Sequence, residues 1–344
     1  CYHFFAIIIL RRILQEVNAM IIEIRAKNCF AFEEEISFSM KADMRNKKFA
    51  SNVHRENNFN VLKTAGVYGP NNVGKTCLVK CIRAIKNVLL DKESGLLRNI
   101  FSDNEVCQLG VTFLSQGRKF SYDFWYNAKT GEYVYESFAE ILKDQYGNEK
   151  EVLWLKRDTI KEEYYCIDED AQKMMPIISK NNLFCYLVDT SKFESLRELK
   201  NILVGFAEKI DIINMNNIPM KHTIELLKNR NNIQEKIIEF IKNADLYMDD
   251  FRYVDGDKIQ VDASDEAGRP EEKALDIPEN IMDQIRLVST YKGVPVPSMI
   301  FDSTGTKKIA AIASYVIEAL EEGRFLVVDE LDSSIHFKLT RAIV

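Results

Sequence analysis

The sequence has no Cys-x-x-Cys pair, and none of its seven cysteines has a histidine at metal-ligand spacing. A zinc ribbon has nothing to hold it, and an odd number of thiols makes no disulfide framework. Reduced thiols in a cytoplasmic protein are the plain reading. Long apolar runs are missing as well. Tyr2–Leu10 is apolar but far too short to span a bilayer, and no small-residue cleavage site follows it, so no membrane partner is expected. Positive charge is not in excess. The 46 Lys and Arg face 52 Asp and Glu, a net charge of −6, which argues against a generally basic nucleic-acid binder while leaving room for local basic patches. Internal repeats and low-complexity tracts are absent. With 46% hydrophobic and 28% charged residues, the 344-residue chain can bury a large core, as two domains or as one elaborated domain.

What is there begins at Gly69-Pro70-Asn71-Asn72-Val73-Gly74-Lys75-Thr76, which fills the whole pattern Gly-x-x-x-x-Gly-Lys-Ser/Thr. Nucleotide phosphates need a loop whose backbone N–H groups point inward, and glycines let such a loop curl without a Cβ in the way. Lys75 then reaches the β- and γ-phosphates, and the Thr76 hydroxyl is placed to ligate Mg²⁺. Gly69, Asn72 and Gly74 belong to the same cradle. Ala65–Tyr68 reads as a short buried strand entering the loop. Leu78, Ile82, Ile85 and Leu89 recur at helical spacing, which predicts a helix opening at Gly74 with its N-terminus aimed at the phosphates. Cys77 and Cys81, one turn apart on that helix, read as packing rather than as a ligand pair.

A second motif lies near the other end. Arg324-Phe325-Leu326-Val327-Val328-Asp329-Glu330 is a continuous apolar run ending in two acids. Such a run suits a central parallel strand covered on both faces, and ligands sit off the carboxyl ends of such strands. This is a Walker B arrangement, with Asp329 holding Mg²⁺ through water and Glu330 acting as general base toward the attacking water. An acidic pair can also mark nothing but a strand end; the phosphate loop upstream favours the catalytic reading. The guanine-reading pattern Asn/Thr-Lys-x-Asp is absent, so ATP rather than GTP is the expected nucleotide.

The stretch from Lys75 to Asp329 is too long for a compact GTPase or a simple hexameric module, and resembles the ABC-type heads, in which a β-rich lobe and a helical lobe are inserted between the motifs. Residues 20–104 form the first part of the core. Residues 105–190 read as the β lobe, with antiparallel strands over 105–142, turns at Gln116-Gly117 and Thr130-Gly131, and mixed short strands from 151 onward. Residues 191–282 read as helical insertion and loop, broken at Asn216–Pro219. The helix predicted from Met220 to Tyr247 would be roughly 40 Å long, too short for the arms of chromosome-structuring SMC proteins. Residues 255–280 read as a loop or strap. Residues 283–344 return to the core.

Just before the Walker B strand, Asp302-Ser303-Thr304-Gly305-Thr306-Lys307-Lys308 precedes Ile309, Ile312, Val316 and Leu320 at helical spacing. A small-residue loop at a helix N-terminus is an anion site by geometry. It reads either as an ABC-type signature loop, which contacts the γ-phosphate bound to a partner head, or as an ordinary helix capped by Ser303 or Thr304.

Together these motifs resemble the AAA-15-type, ABC-like bacterial ATPases, similar to those of the overcoming-lysogenization-defect and abortive-infection defence systems. The resemblance runs from the opening Met20–Phe32 and Ile36–Met40, through Gly69–Thr76 and Ser303–Lys307, to Asp329-Glu330-Leu331-Asp332-Ser333-Ser334-Ile335-His336, its most specific part. It implies an α/β P-loop NTPase of the ABC/SMC-head type with ATP and Mg²⁺ as cofactors. Lys75 and Glu330 would be catalytic, and Thr76 and Asp329 the metal partners. Ser303 and Gly305 would serve the opposite active site of a homodimer, and Asp332 would lie in a D-loop crossing the dimer interface. His336 would cap the D-loop or take part in catalysis. One departure is clear: Phe30 stands where the family has Arg, and Cys29 where Phe is usual, so the role of that Arg is not carried over.

Two expectations concern the ends. Gln15-Glu16-Val17 can be encoded by codons containing the ribosome-binding sequence AGGAGG shortly before Met20, so residues 1–19 read as a non-native leader; a short packing or membrane-proximal segment is the other reading. Codons for Gln15 or Glu16 ending in A would remove that signal. The sequence stops soon after Asp329, before a further core strand and switch histidine, and reads as a C-terminal truncation that binds nucleotide better than it hydrolyses it. Two functions stay open: an ATPase controlling a nuclease or other effector in phage defence, or a RecF/SMC-like nucleotide-gated clamp on DNA. Lys41, Arg45, Lys47, Lys48 and Arg55, against Asp43 and Glu56, could touch DNA phosphates or form a solvated loop.

Overall fold

The computed structural model describes residues 19–45, 48, 50–56, 59–144, 147–229, 232–243, 247–254 and 283–331. Of the leader expected over residues 1–19, only Ala19 is described, as the buried first residue of a strand; the rest of it, Lys47, the strap at 255–280, Asp332 and His336 lie outside the described residues. The chain divides into two units. One takes the chain as far as Ile212 together with Ala319–Asp329; the other takes Ile213–Glu318 and the residues from Glu330 onward.

The first unit is built on a seven-stranded antiparallel sheet. Its strands are β1 (Ala19–Lys27), β2 (Ile36–Ser39), and, after the hairpin β3 (Val53–Glu56) and β4 (Phe59–Leu62), β5 (Val106–Ser115), β6 (Arg118–Asn127), β7 (Glu132–Lys143), β8 (Glu149–Asp158) and β9 (Glu163–Cys166). The order across the sheet is β2-β1-β5-β6-β7-β8-β9. The expected Gln116-Gly117 turn joins Ser115 to Arg118 as a two-residue hairpin, with φ of 51° and 74°. Both values are positive, as the turn type that matches strand twist requires. One sheet face carries stacked and edge-on aromatics. Phe120 stacks on Phe138 at 5.3 Å, and Phe113 stacks at 4.1 Å on Phe206 of the helix Glu194–Glu208. Each fully buried phenylalanine contributes about 1.5–3 kcal/mol of hydrophobic stabilisation. The opposite face is polar. Arg25 donates to both carboxylate oxygens of Asp123 and to the Thr112 and Ser121 hydroxyls. Gly110 makes room for this, since a Cβ there would fall 2.0 Å from the Asp123 carboxylate.

The helix Lys75–Leu89 turns Leu78, Val79, Cys81, Ile82, Ile85, Val88 and Leu89 inward and packs on β5 and on the Glu194–Glu208 helix. The short strand β10 (Ile210–Asn214) follows, and pairs with the later β14 (Phe325–Asp329). At their starts Arg324 clamps Asp211 through two hydrogen bonds of 2.5 and 2.9 Å, and the Phe325 N–H donates to the Lys209 carbonyl. In the second unit β11 (Asp250–Tyr253), β12 (Leu287–Tyr291) and β13 (Val294–Pro297) form an antiparallel sheet. Beside it the Lys221–Asn229 helix is pinned to the Thr304–Glu322 helix. Thr223 donates to the Ala310 and Ala311 carbonyls, and His222 meets Glu318 at 2.6 Å.

Four expectations need correcting. Ala65–Tyr68 is neither a strand nor buried: Tyr68 is 60% exposed, and its ring folds back over Gly66, where a Cβ would meet the ring hydroxyl at 2.7 Å. Residues 151–190 are not mixed short strands throughout, because β8 is ten residues long and short helices follow β9. The region expected to be helical from 191 contains β10, since Ile210-Asp211-Ile212-Ile213 leaves the helix at Lys209 and extends. The single helix over 220–247 is two, Lys221–Asn229 and Ile233–Asn243. β14 is wholly buried, as its apolar run predicts, and has one partner strand among the described residues.

Candidate nucleotide site

The site in the first unit starts from backbone conformation. Asn72 and Gly74 both lie in the left-handed region, at φ 64° and 91°. Gly74 is the N-cap of the Lys75–Leu89 helix, and no side chain among the described residues caps that end. At such a glycine-led, uncapped end the helix dipole favours an anion. Gly74 is required for a second reason. A Cβ on it would meet the Phe32 ring at 2.9 Å, so the turn Cys29–Phe32 presses directly on the loop. Lys75 folds its ammonium back onto the loop, donating to the carbonyl of Gly69 at 2.7 Å and to that of Pro70.

The two motifs meet. The Thr76 hydroxyl lies 3.5 Å from a carboxylate oxygen of Asp329, across a large separation in the chain. Asp329 is 5% exposed, held at the end of β14 by the Arg324–Asp211 clamp at the strand's start. An octahedral Mg²⁺ with oxygens at about 2.1 Å places neighbouring ligands roughly 3 Å apart. The Thr76–Asp329 pair fits such an ion, or an ion with one intervening water. Glu330 follows with φ 56°, a left-handed kink that ends the strand, and its Oε2 is buried without a hydrogen-bond partner among the described residues. A buried carboxylate oxygen with no donor is costly unless water or a ligand supplies one. The residues of the first unit thus fit Mg²⁺ and a nucleotide: a helix end without a side-chain cap, a lysine, and a hydroxyl beside a carboxylate.

Ser303 and Gly305 belong to the second unit. The Ser303 hydroxyl accepts the Thr306 N–H at 3.1 Å, and the helix runs Thr304–Glu322, so Ser303 is the cap that the simpler reading expected. Ser303 and Thr304 remain exposed, and Gly305 lies in the first turn. Sequence reasoning missed Asp302. It is 6% exposed and accepts three hydroxyl hydrogen bonds, from Ser289 and Ser298 at 2.6 Å and from Tyr291 at 2.7 Å. A polar residue in a small-residue loop gives no sign of burial by its type; the alternation Ser289, Tyr291 on one strand face was the available signal.

Of the basic stretch, Arg45 is bound by Asp43 through its Nε and Nη2, and Lys41 lies 3.6 Å from Glu23. The expected packing role of Cys81 holds: it is fully buried, and burial pushes its thiol up to about 12. The six described cysteines are free thiols. No helix among the described residues is long and apolar enough to cross a membrane.

Residues 199–344 match the protein family described as "AAA domain, putative AbiEii toxin, Type IV TA system". The matched segment contains the 302–308 loop and the β14 strand end, and leaves the phosphate loop outside it. No curated protein matches the chain. The mixed α/β architecture with its large antiparallel sheet, taken with this match, fits a P-loop nucleotide-binding ATPase.

Proposed function

We propose that the protein is a Mg²⁺-dependent ATPase of the ABC-like head type. The observation that carries the reading is the meeting of Thr76 with Asp329 at 3.5 Å. Each is the metal partner that its own motif predicts, and the fold puts them together. The loop amides of Gly69–Thr76 and the Lys75 ammonium hold the β- and γ-phosphates. Thr76 and Asp329 hold the Mg²⁺, which when bound neutralises phosphate charge. Glu330 accepts a proton from the attacking water at its unpartnered Oε2. Ser303 and Gly305 act on the γ-phosphate of a second copy, so the working form is a cytoplasmic homodimer closed through signature and D-loop contacts.

Closure and turnover control an effector, a nuclease or other toxic partner, in phage defence. The matched family's description in terms of an abortive-infection toxin supports this destination. The clamp on DNA has less support, because Lys41 and Arg45 already have carboxylate neighbours.

Phosphate release from ATP tests the proposal, with and without Mg²⁺ and with and without duplex DNA. Turnover that requires Mg²⁺ and ignores DNA is expected. Turnover seen only with DNA, and falling steeply with salt, would move the reading to the clamp. Turnover unaffected by chelating Mg²⁺ would remove the metal roles of Thr76 and Asp329.

A further inference from the structure

The geometry assigns to Asp302 the role of a positioning residue for the signature loop, acting on the nucleotide of a second copy and not on its own; this rests on the two-copy reading above. Asp302 is the residue immediately before Ser303, yet its side chain points away from solvent. Ser289 and Tyr291 reach it from β12, and Ser298 from the first position of the short helix Ser298–Phe301. Three O–H donors at 2.6–2.7 Å around one carboxylate are short, charge-assisted bonds. They come from two separate elements, so the carboxylate fixes where the chain enters the Thr304–Glu322 helix relative to the three-stranded sheet. The Asp302 N–H adds a bond to the Ser298 carbonyl at 3.0 Å. With that entry fixed, the exposed Ser303 hydroxyl and the first turn at Gly305 present a single arrangement outward.

Ser303 alone cannot do this. Its hydroxyl caps the first turn through Thr306, which shapes the helix end and leaves the direction of the whole end undetermined. Asp302 supplies the direction. Misplacement by about 1 Å of a group that must meet a transferring phosphoryl costs on the order of a hundredfold in rate. Because the group served belongs to the other copy, removing Asp302 should leave ATP affinity intact and reduce turnover.

The test is a mixing experiment with the full-length protein, using four variants: Asp302→Ala, Ser303→Arg, Lys75→Ala and Tyr291→Phe. Asp302→Ala is expected to bind ATP with wild-type affinity and to lose turnover by about a hundredfold. Mixed with Lys75→Ala it should recover turnover, because the mixed dimer keeps one site with an intact phosphate loop facing an intact signature. Mixed with Ser303→Arg it should recover none, since both lesions lie in the same half of the site. Tyr291→Phe removes one donor of three and should reduce turnover by a smaller factor with unchanged ATP affinity, which keeps the assignment testable if Asp302→Ala does not fold. Recovery with Ser303→Arg, loss of ATP affinity in a folded Asp302→Ala, or full turnover in both Asp302→Ala and Tyr291→Phe would overturn the assignment. The pair Ser303→Arg with Lys75→Ala is the control: if that pair fails to recover turnover, the two-copy reading falls and takes Asp302 with it.

Discussion

Two helix N-termini in this protein are built in opposite ways. The Lys75–Leu89 helix begins at a left-handed glycine with no side-chain cap among the described residues, while the Thr304–Glu322 helix begins at Ser303, whose hydroxyl satisfies the Thr306 N–H. The first end has a glycine where a capping side chain would stand. The second has one of its first-turn N–H groups satisfied by the Ser303 hydroxyl and is anchored from behind by Asp302. The loop before the first helix turns left-handed at Asn72 and at Gly74, a conformation that glycine adopts without a steric penalty. An end that only presents a hydroxyl can be capped and held rigid. The same local element thus serves two purposes, and what differs is the residue just before the helix: glycine in one case, serine in the other.

That contrast can be broken at several points. The widest separation between binding and turnover is expected at Glu330→Gln, which keeps the strand end but replaces the carboxylate base with a neutral amide. Turnover should fall on the order of a thousandfold, with ATP binding retained, in a paired measurement of phosphate release and nucleotide affinity. Equal losses in both would mean that Glu330 holds the loop together instead. Gly74→Ala attacks the open end directly. A left-handed alanine costs about 1–2 kcal/mol, and its Cβ meets Phe32 as well, so ATP affinity should drop by about tenfold or more. Adding Phe32→Ala should return part of that loss; no recovery would mean that the strain lies wholly in the backbone. The smallest effect is expected at the capped end. Ser303→Ala should lower thermal stability by about 1 kcal/mol for the lost cap and leave ATP affinity unchanged. A weakened affinity would place Ser303 on its own chain's nucleotide and contradict the division of labour between the two ends.

Much of this is legible in the amino-acid sequence. The phosphate loop, the helix starting after Gly74, the β5–β6–β7 meander with its Gln116-Gly117 turn, and the buried β14 all follow from patterns that are strong over short distances. Alternation, a positive-φ turn and a continuous apolar run each have one local solution. The departures share a different cause. Ala65–Tyr68 has strand-like residues, but it forms no strand, and the Tyr68 ring lies over Gly66, where only a residue without a Cβ leaves room for it. β10 is hidden because a five-residue strand directly after a helix leaves no period to read. The segment over 220–247 keeps its apolar spacing but not its continuity as one helix. Among the site residues, Lys75, Thr76, Asp329 and Glu330 can be named because their types carry the chemistry. The pressure of Phe32 on Gly74 depends on residues well separated in the chain, and no local pattern records it, whereas the burial of Asp302 has only the faint signal of Ser289 and Tyr291 alternating on β12.

Calorimetric titration of Mg²⁺-ATP into the wild-type protein and into Lys75→Ala tests most directly whether Gly69–Thr76 is an open helix end that holds ATP. One ATP per chain is predicted for the wild type, with affinity about a hundredfold weaker once the charged donor is gone, a loss of roughly 3 kcal/mol. An affinity unchanged by Lys75→Ala would contradict that role for the loop.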